Sequence, residues 1–352
     1  MFPGVIPNYS SVTNRSDCNS RIYSRLVVKP HKGACRLESE TRLAPLSIGV
    51  NIPRGEYEWL FRLQYTGLVQ QENSMTTGSC LCGVVTYELQ GMAHDMMHCH
   101  CSMCRKIHGT PFGTYLSVDS VRWLTGEGHI SSYESSHNFH RCFCDQCGSV
   151  LPERVDGADY SFVPAGGLDG PVDLRPQKHI FASSGASWYR ITDDLPRYDS
   201  YSADADGGVD QASRAGAHPD AVGGSCLCGE VAYRYHGEPE FMMYCHCSRC
   251  RKVKSAAHAS NVFVQPDRFE WVSGEQNVVR YKLPTAERFG NSFCKTCGSS
   301  MPRVSPTIIV IPAGALDDAP GVEPRGHIYT GSKAQWFDIT DDYPQFNEGP
   351  PA

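Results

Sequence analysis

One cysteine pattern occurs twice and limits what this chain can become. Cys80-x-Cys82-Gly, Cys99-x-Cys101-x-x-Cys104 and Cys144-x-x-Cys147-Gly recur as Cys226-x-Cys228-Gly, Cys245-x-Cys247-x-x-Cys250 and Cys294-x-x-Cys297-Gly. Each copy therefore holds seven thiols, enough for one four-ligand metal site and one three-ligand site. Structural zinc is enclosed by four protein ligands, whereas catalytic zinc keeps three and leaves a position for water or substrate. The count alone suggests chemistry as well as scaffolding.

The repeat extends beyond the cysteines. Trp123-Leu-Thr-Gly-Glu127 matches Trp271-Val-Ser-Gly-Glu275, and Pro164-Ala-Gly-Gly-Leu-Asp169 matches Pro312-Ala-Gly-Ala-Leu-Asp317. His179-Ile180, Trp188 and Ile191-Thr-Asp-Asp194 match His327-Ile328, Trp336 and Ile339-Thr-Asp-Asp342. Small length changes between fixed motifs indicate a duplicated domain. The expected organisation is an N-terminal segment at 1–74, one domain at 75–200, a flexible Ala/Asp/Gly/Ser linker at 201–221 and a second domain at 222–346. Up to Arg36 the N-terminal segment carries six Lys or Arg against one acid, which gives it a weak likeness to a transit peptide. A disordered tail and an extension upstream of a start at Met75 are the competing readings. Cys18 and Cys35 lie there without an assigned role.

The chain of 352 residues is 40% hydrophobic and 20% charged, as a globular protein is. A formal net charge of −6 argues against general nucleic-acid binding. No apolar run reaches the roughly 18 residues of a membrane span, and the first thirty residues lack a secretory core. The expected compartment is cytoplasmic, with mitochondrial import as the alternative. Clustered cysteines in a reducing compartment read as metal-binding rather than disulfide-forming.

Short alternating stretches dominate each copy: Val85, Tyr87 and Leu89, then Val231, Tyr233 and Tyr235. Thr114 to Val118, Val121 to Leu124, Ser161 to Val163 and Ile308 to Ile311 are further strand candidates. Helix is limited to a possible turn after Cys104 and Cys250. The fold class is mainly β, with small sheets stapled by metal.

The simplest partition of thiols joins Cys80, Cys82, Cys144 and Cys147 in one tetrahedral site, and Cys226, Cys228, Cys294 and Cys297 in another. The glycine after each pair lets backbone N–H groups turn toward sulfur. Cys99, Cys101 and Cys104, and likewise Cys245, Cys247 and Cys250, can present three thiolates to one ion from a single loop. Such an electron-rich site activates water poorly and suits holding a substrate thiol. Three alternatives stand beside this: completion by His98, His100 or His246, a two-metal cluster with the other four thiols, or an empty loop. Cys142 has Ser292 as its counterpart and is not an expected ligand.

Gly78-Ser-Cys-Leu-Cys-Gly83, Cys99-His-Cys-Ser-Met-Cys-Arg-Lys106 and Phe143-Cys-Asp-Gln-Cys-Gly-Ser149 resemble the glutathione-dependent formaldehyde-activating enzyme family. Gly224-Ser-Cys-Leu-Cys-Gly229, Cys245-His-Cys-Ser-Arg-Cys-Arg-Lys252 and Phe293-Cys-Lys-Thr-Cys-Gly-Ser299 repeat the likeness. The resemblance implies a mostly β, β-tent-like fold, with structural zinc on the outer pairs and catalytic zinc on the triplet. Zinc would then number up to two per domain and four per chain. The implied activity is that of a carbon–sulfur lyase joining formaldehyde to glutathione as S-hydroxymethylglutathione, and the reverse. The second copy departs from the family pattern, with Ser255-Ala-Ala-His258 where the first has Gly109-Thr-Pro-Phe112. The likeness extends to centromere protein V, which keeps a non-catalytic zinc-stabilised interaction module open as the alternative.

On the lyase reading, Cys99, Cys101, Cys104, Cys245, Cys247 and Cys250 are the catalytic candidates. Arg105, Lys106, Arg251 and Lys252 are candidates for meeting glutathione carboxylates, set against a solvated basic pair. His100 and His246 suit a supporting or surface position, and His179 and His327 either acid catalysis or a satisfied core place. Asp193 and Asp341 read as turn caps. The partner expected is a small-molecule thiol, with no nucleic acid or membrane, and the two domains are free to pack on each other.

Overall fold

Side chains of a strand alternate between its faces, and the residues after each Cys-Gly turn follow that rule. Val85 and Tyr87 are fully buried, as are Val231, Tyr233 and Tyr235 in the second copy. The computed structural model describes residues 22–23, 26–31, 34–39, 76–170, 172–201 and 220–349. The chain divides into two compact units, 1–72 and 73–352. In the first, strands Ile22–Tyr23, Leu26–His31 and Ala34–Ser39 form an antiparallel sheet. The readings placed on the rest of 1–74, on Cys18 and on most of 201–221 lie outside the described residues. No helix among those described is long and apolar enough to cross a membrane.

Both repeats lie in the second unit. In the first copy, Thr86–Cys99 pairs with Gly113–Thr125, which pairs in turn with Ser161–Pro164. Thr77–Ser79 and Lys178–Ile180 add to Thr86–Cys99. The strands expected separately at Thr114 to Val118 and Val121 to Leu124 form one ladder, which absorbs the irregularity as bulges around Ala93. Gly91 at φ +76 makes that kink possible. The second copy breaks at the same place into Ala232–His236 with Phe269–Ser273, and Phe241–Cys245 with Ala259–Val264. Pro239 and Pro266 stand at the breaks; proline has no N–H to give a central ladder. A smaller sheet in each copy carries the late cysteine pair: Ile130–Ser136 with Phe139–Cys144, and Val278–Lys282 with Gly290–Cys294.

The turn expected after each triplet is a two-turn helix, α1 (Ser102–His108) and α2 (Ser248–Lys254). The Sγ atoms of Cys101 and Cys247 cap them by accepting from the N–H of Cys104 and Cys250. Gly109 and Ser255 end them in left-handed conformation.

These helices join the copies across an approximate two-fold. Each packs on the opposite copy's short 3₁₀ turn, α1 on Ala313–Ala315 and α2 on Ala165–Gly167. A Cβ on Gly314 would collide with the Arg105 and Thr110 backbone, and one on Gly166 with Ser255 and Ala256. Equivalent residues meet near the axis: Phe143 with Phe293, ring centroids 6.1 Å apart, and Thr192 with Thr340, hydroxyls 2.5 Å apart. Lys106 Nζ donates to the Ser225 carbonyl at 2.8 Å and to Asp317 at 2.5 Å. Lys252 donates to the Gly167 carbonyl and pairs with Asp169 in the same way. The tails also cross. Ala334, Trp336 and Phe337 sit in the first copy's core, while Trp188 and Tyr189 pack on the second copy's.

A histidine marks the crossing. His258 occupies the position of Phe112 and touches its ring, at 5.9 Å between centroids. Burial pushes it down to about 3. A basic group whose folded value is depressed stabilises the fold while neutral, above its unfolded value of about 6.5. That contribution falls away as pH drops from there toward 3. By pH 5 the loss reaches about 2 kcal/mol. His258→Phe is expected to flatten the pH 5–7 slope of urea stability by about that amount; an unchanged slope would place the acid sensitivity elsewhere.

Candidate metal centres

The fold gathers the cysteines into four groups: Cys80, Cys82, Cys144 and Cys147; Cys226, Cys228, Cys294 and Cys297; Cys99, Cys101 and Cys104; and Cys245, Cys247 and Cys250. Within each group all Sγ atoms lie within 4.8 Å of one another. Zinc–sulfur bonds of roughly 2.3 Å put tetrahedral sulfurs about 3.8 Å apart. Cys82–Cys144 and Cys228–Cys294 are both 3.8 Å, and Cys80–Cys82 is 3.3 Å. The donor sets and spacing fit zinc.

The four-thiol groups pin the start of each repeat to a turn more than sixty residues later. Backbone N–H groups support the sulfurs: Val85 N donates to Cys80 Sγ at 3.3 Å and Val231 N to Cys226 Sγ at 3.2 Å. Ser149 and Ser299 tie the two halves by accepting from Leu81 N and Leu227 N, each at 2.9 Å. Cys142 stands outside the groups, buried beside them.

The triplets differ in surroundings although their own geometry agrees. In the first copy all three thiols are buried, with Cys99 3.6 Å from Cys101 and 3.4 Å from Cys104. They form part of the lining of a cavity of about 130 Å³. On its wall the Tyr115 hydroxyl lies 3.7 Å from Cys104 Sγ. It is also 3.0 Å from Glu153 and 2.7 Å from His108 Nε2. Arg141 donates to Glu153 at 2.6 Å. The Lys254 carbonyl, 2.5 Å from His108 Nδ1, can only accept. It therefore fixes the proton on Nδ1 and leaves Nε2 to accept from the Tyr115 hydroxyl. Burial pushes Glu153 up to about 7 against the pull of Arg141, so its carboxyl can carry a proton near neutrality.

Tyr115, Arg141, Glu153 and His108 escaped sequence reasoning. The signal available was their divergence at fixed offsets from the cysteines. The second copy has Asn261, Asn291, Arg303 and Lys254 in their places. There Asn291 turns to the interface and donates to the Cys147 carbonyl at 3.0 Å, while Lys254 donates to Asn291 and Ser300. Cys247 and Cys250 are half-buried.

The histidines inside the triplets face the other way. His179 Nε2 donates to Asp193 at 2.9 Å, so its Nδ1 accepts from His100 Nε2 at 2.8 Å. His246, His327 and Asp341 repeat the chain at 2.8 and 2.9 Å. The surface alternative for His100 and His246 is corrected, since both are fully buried. Neither His100 nor His179 lines the cavity. Asp193 and Asp341 also cap turns, accepting from Leu195 N and Tyr343 N. Of the basic candidates, Lys106 and Lys252 have their ammonium groups engaged between the copies. Arg251 Nε donates to the Ser332 carbonyl at 2.9 Å. Arg105 is not on the cavity lining.

A family model described as glutathione-dependent formaldehyde-activating enzyme matches residues 75–184 and again 221–332. No curated protein matches the chain. Among solved structures, a Rhodobacter sphaeroides protein is 24% identical over 28% of this chain and 91% of its own, with a TM-score of 0.24.

Proposed function

The chain belongs to the glutathione-dependent formaldehyde-activating enzyme family through both of its copies, and from that premise we propose that it is a zinc-dependent carbon–sulfur lyase acting on thiol–aldehyde adducts, with turnover in the first copy. The observation that carries this reading is the first triplet opening on a cavity beside Tyr115. Cys99, Cys101 and Cys104 would hold the zinc, which supplies a position where a thiol is kept as thiolate. Tyr115, fixed by His108 and Glu153, is placed to hydrogen-bond the adduct's hydroxyl. Arg141 is an orienting partner, locking Glu153 so that Tyr115 keeps one direction. Cleavage breaks the carbon–sulfur bond with its electron pair going to sulfur, while the hydroxyl loses its proton and becomes the aldehyde carbonyl. The gain comes from holding the reacting groups together. The second copy, lacking the tyrosine, arginine and glutamate, serves as the scaffold that completes the first copy's core.

Metal analysis is expected to give four zinc ions per chain; two would leave scaffolding alone. Formaldehyde and glutathione combine spontaneously, so exchange must be followed by NMR with and without protein. Cys101→Ala is expected to abolish the acceleration and Cys247→Ala to preserve most of it. Equal loss in both variants would refute the assignment to the first copy.

A further inference from the structure

The cavity of the first copy has an apolar wall that the reaction itself does not explain. Met97, Met103, Phe139, Phe162, Ile180 and Phe181 form much of it. Its charged lining residues are Arg141 and Glu153, and these are paired with each other. A single-carbon aldehyde leaves most of about 130 Å³ unfilled. An apolar cavity of about 150 Å³ takes a benzene molecule. Glutathione's peptide and carboxylate groups find no unpaired charge there, and burying polar groups without partners is unfavourable. The second copy alters the same wall: Arg249 replaces Met103, with its guanidinium 5.7 Å over the Phe289 ring, and Val310 replaces Phe162.

We propose that the first copy carries a subsite for an apolar, ring-sized substituent on the sulfur-bound substrate. This rests on the first triplet being the reacting centre. The substrate is then an adduct RS–CH(OH)R′ in which R′ or R is a hydrocarbon group. Breaking its carbon–sulfur bond gives RSH and R′CHO, with the hydroxyl proton transferred to sulfur overall and no change of oxidation state. The hydrocarbon comes from the aldehyde or from the thiol, and either source presents the same surface to Phe162 and Ile180.

The subsite is tested first without chemistry. Fluorobenzene, followed by fluorine NMR on the full chain with and without zinc, is expected to bind in both states. Met103→Arg, which copies the second repeat, and Ile180→Trp, which fills the space, are each expected to weaken it tenfold or more. Exchange is then compared on the zinc-loaded chain for glutathione with pentanal, phenylmethanethiol with formaldehyde, and glutathione with formaldehyde. One of the first two pairs is expected to exceed the third at least tenfold in kcat/KM, identifying the source, and Met103→Arg should erase the advantage. Failure of fluorobenzene to bind, or fastest exchange with glutathione and formaldehyde, overturns the subsite. Binding of fluorobenzene with no acceleration of any pair supports the subsite and removes the lyase reading instead.

Discussion

Cys144→Ala is expected to unfold the whole 73–352 unit rather than loosen one turn. Cys144 contributes to the group that joins Cys80 and Cys82 to the second sheet. Zinc in such a site supplies about 10–16 kcal/mol of apparent folding free energy. The typical total stability of a domain is about 5–15 kcal/mol, so the loss is not absorbed. Unfolding also crosses between copies, because Ile107 and Val150 of the first repeat lie in the second repeat's core. The expected result is loss of the cooperative thermal transition and of near-ultraviolet circular dichroism, reproduced on wild type by a strong chelator. A variant that melts at the wild-type temperature would show that these four thiols do not hold the fold through a metal.

The second large effect concerns two lysines that sequence treats as equivalents. Lys106→Met is expected to cost about 3–5 kcal/mol, the penalty for stranding one partner of a buried ion pair. The Asp317 side chain it leaves behind is 0% exposed. Lys252→Met is expected to cost no more than about 1 kcal/mol, because its partner Asp169 is 39% exposed and water replaces the ammonium. Urea midpoints at constant slope measure both. Equal costs would mean that the pseudo-two-fold, and not burial, governs the interface.

Which cysteines sit close along the chain was readable, because thiols one or two residues apart can reach one ion; that the early pair meets the late pair over sixty residues away appears only in the fold. The strands were readable from their period of two, but not where they break; one copy uses a glycine bulge at Gly91 and the other prolines at 239 and 266. Two of the basic residues after the triplets, Lys106 and Lys252, are engaged between the copies. Their charge suggested a ligand, yet the partner of Lys106 lies 211 positions away in the other copy. Tyr115, Arg141 and Glu153 carry no motif of their own, and only the cavity shows them acting together.

By itself the sequence determined that the chain is a duplicated, mainly β protein with seven clustered thiols in each copy, since these follow from spacing and alternation along one backbone. Only the tertiary structure decided that each repeat lends residues to the other's core and that the first triplet lines a pocket. Those outcomes depend on which buried groups find partners across long separations, and desolvation leaves no trace in a linear pattern.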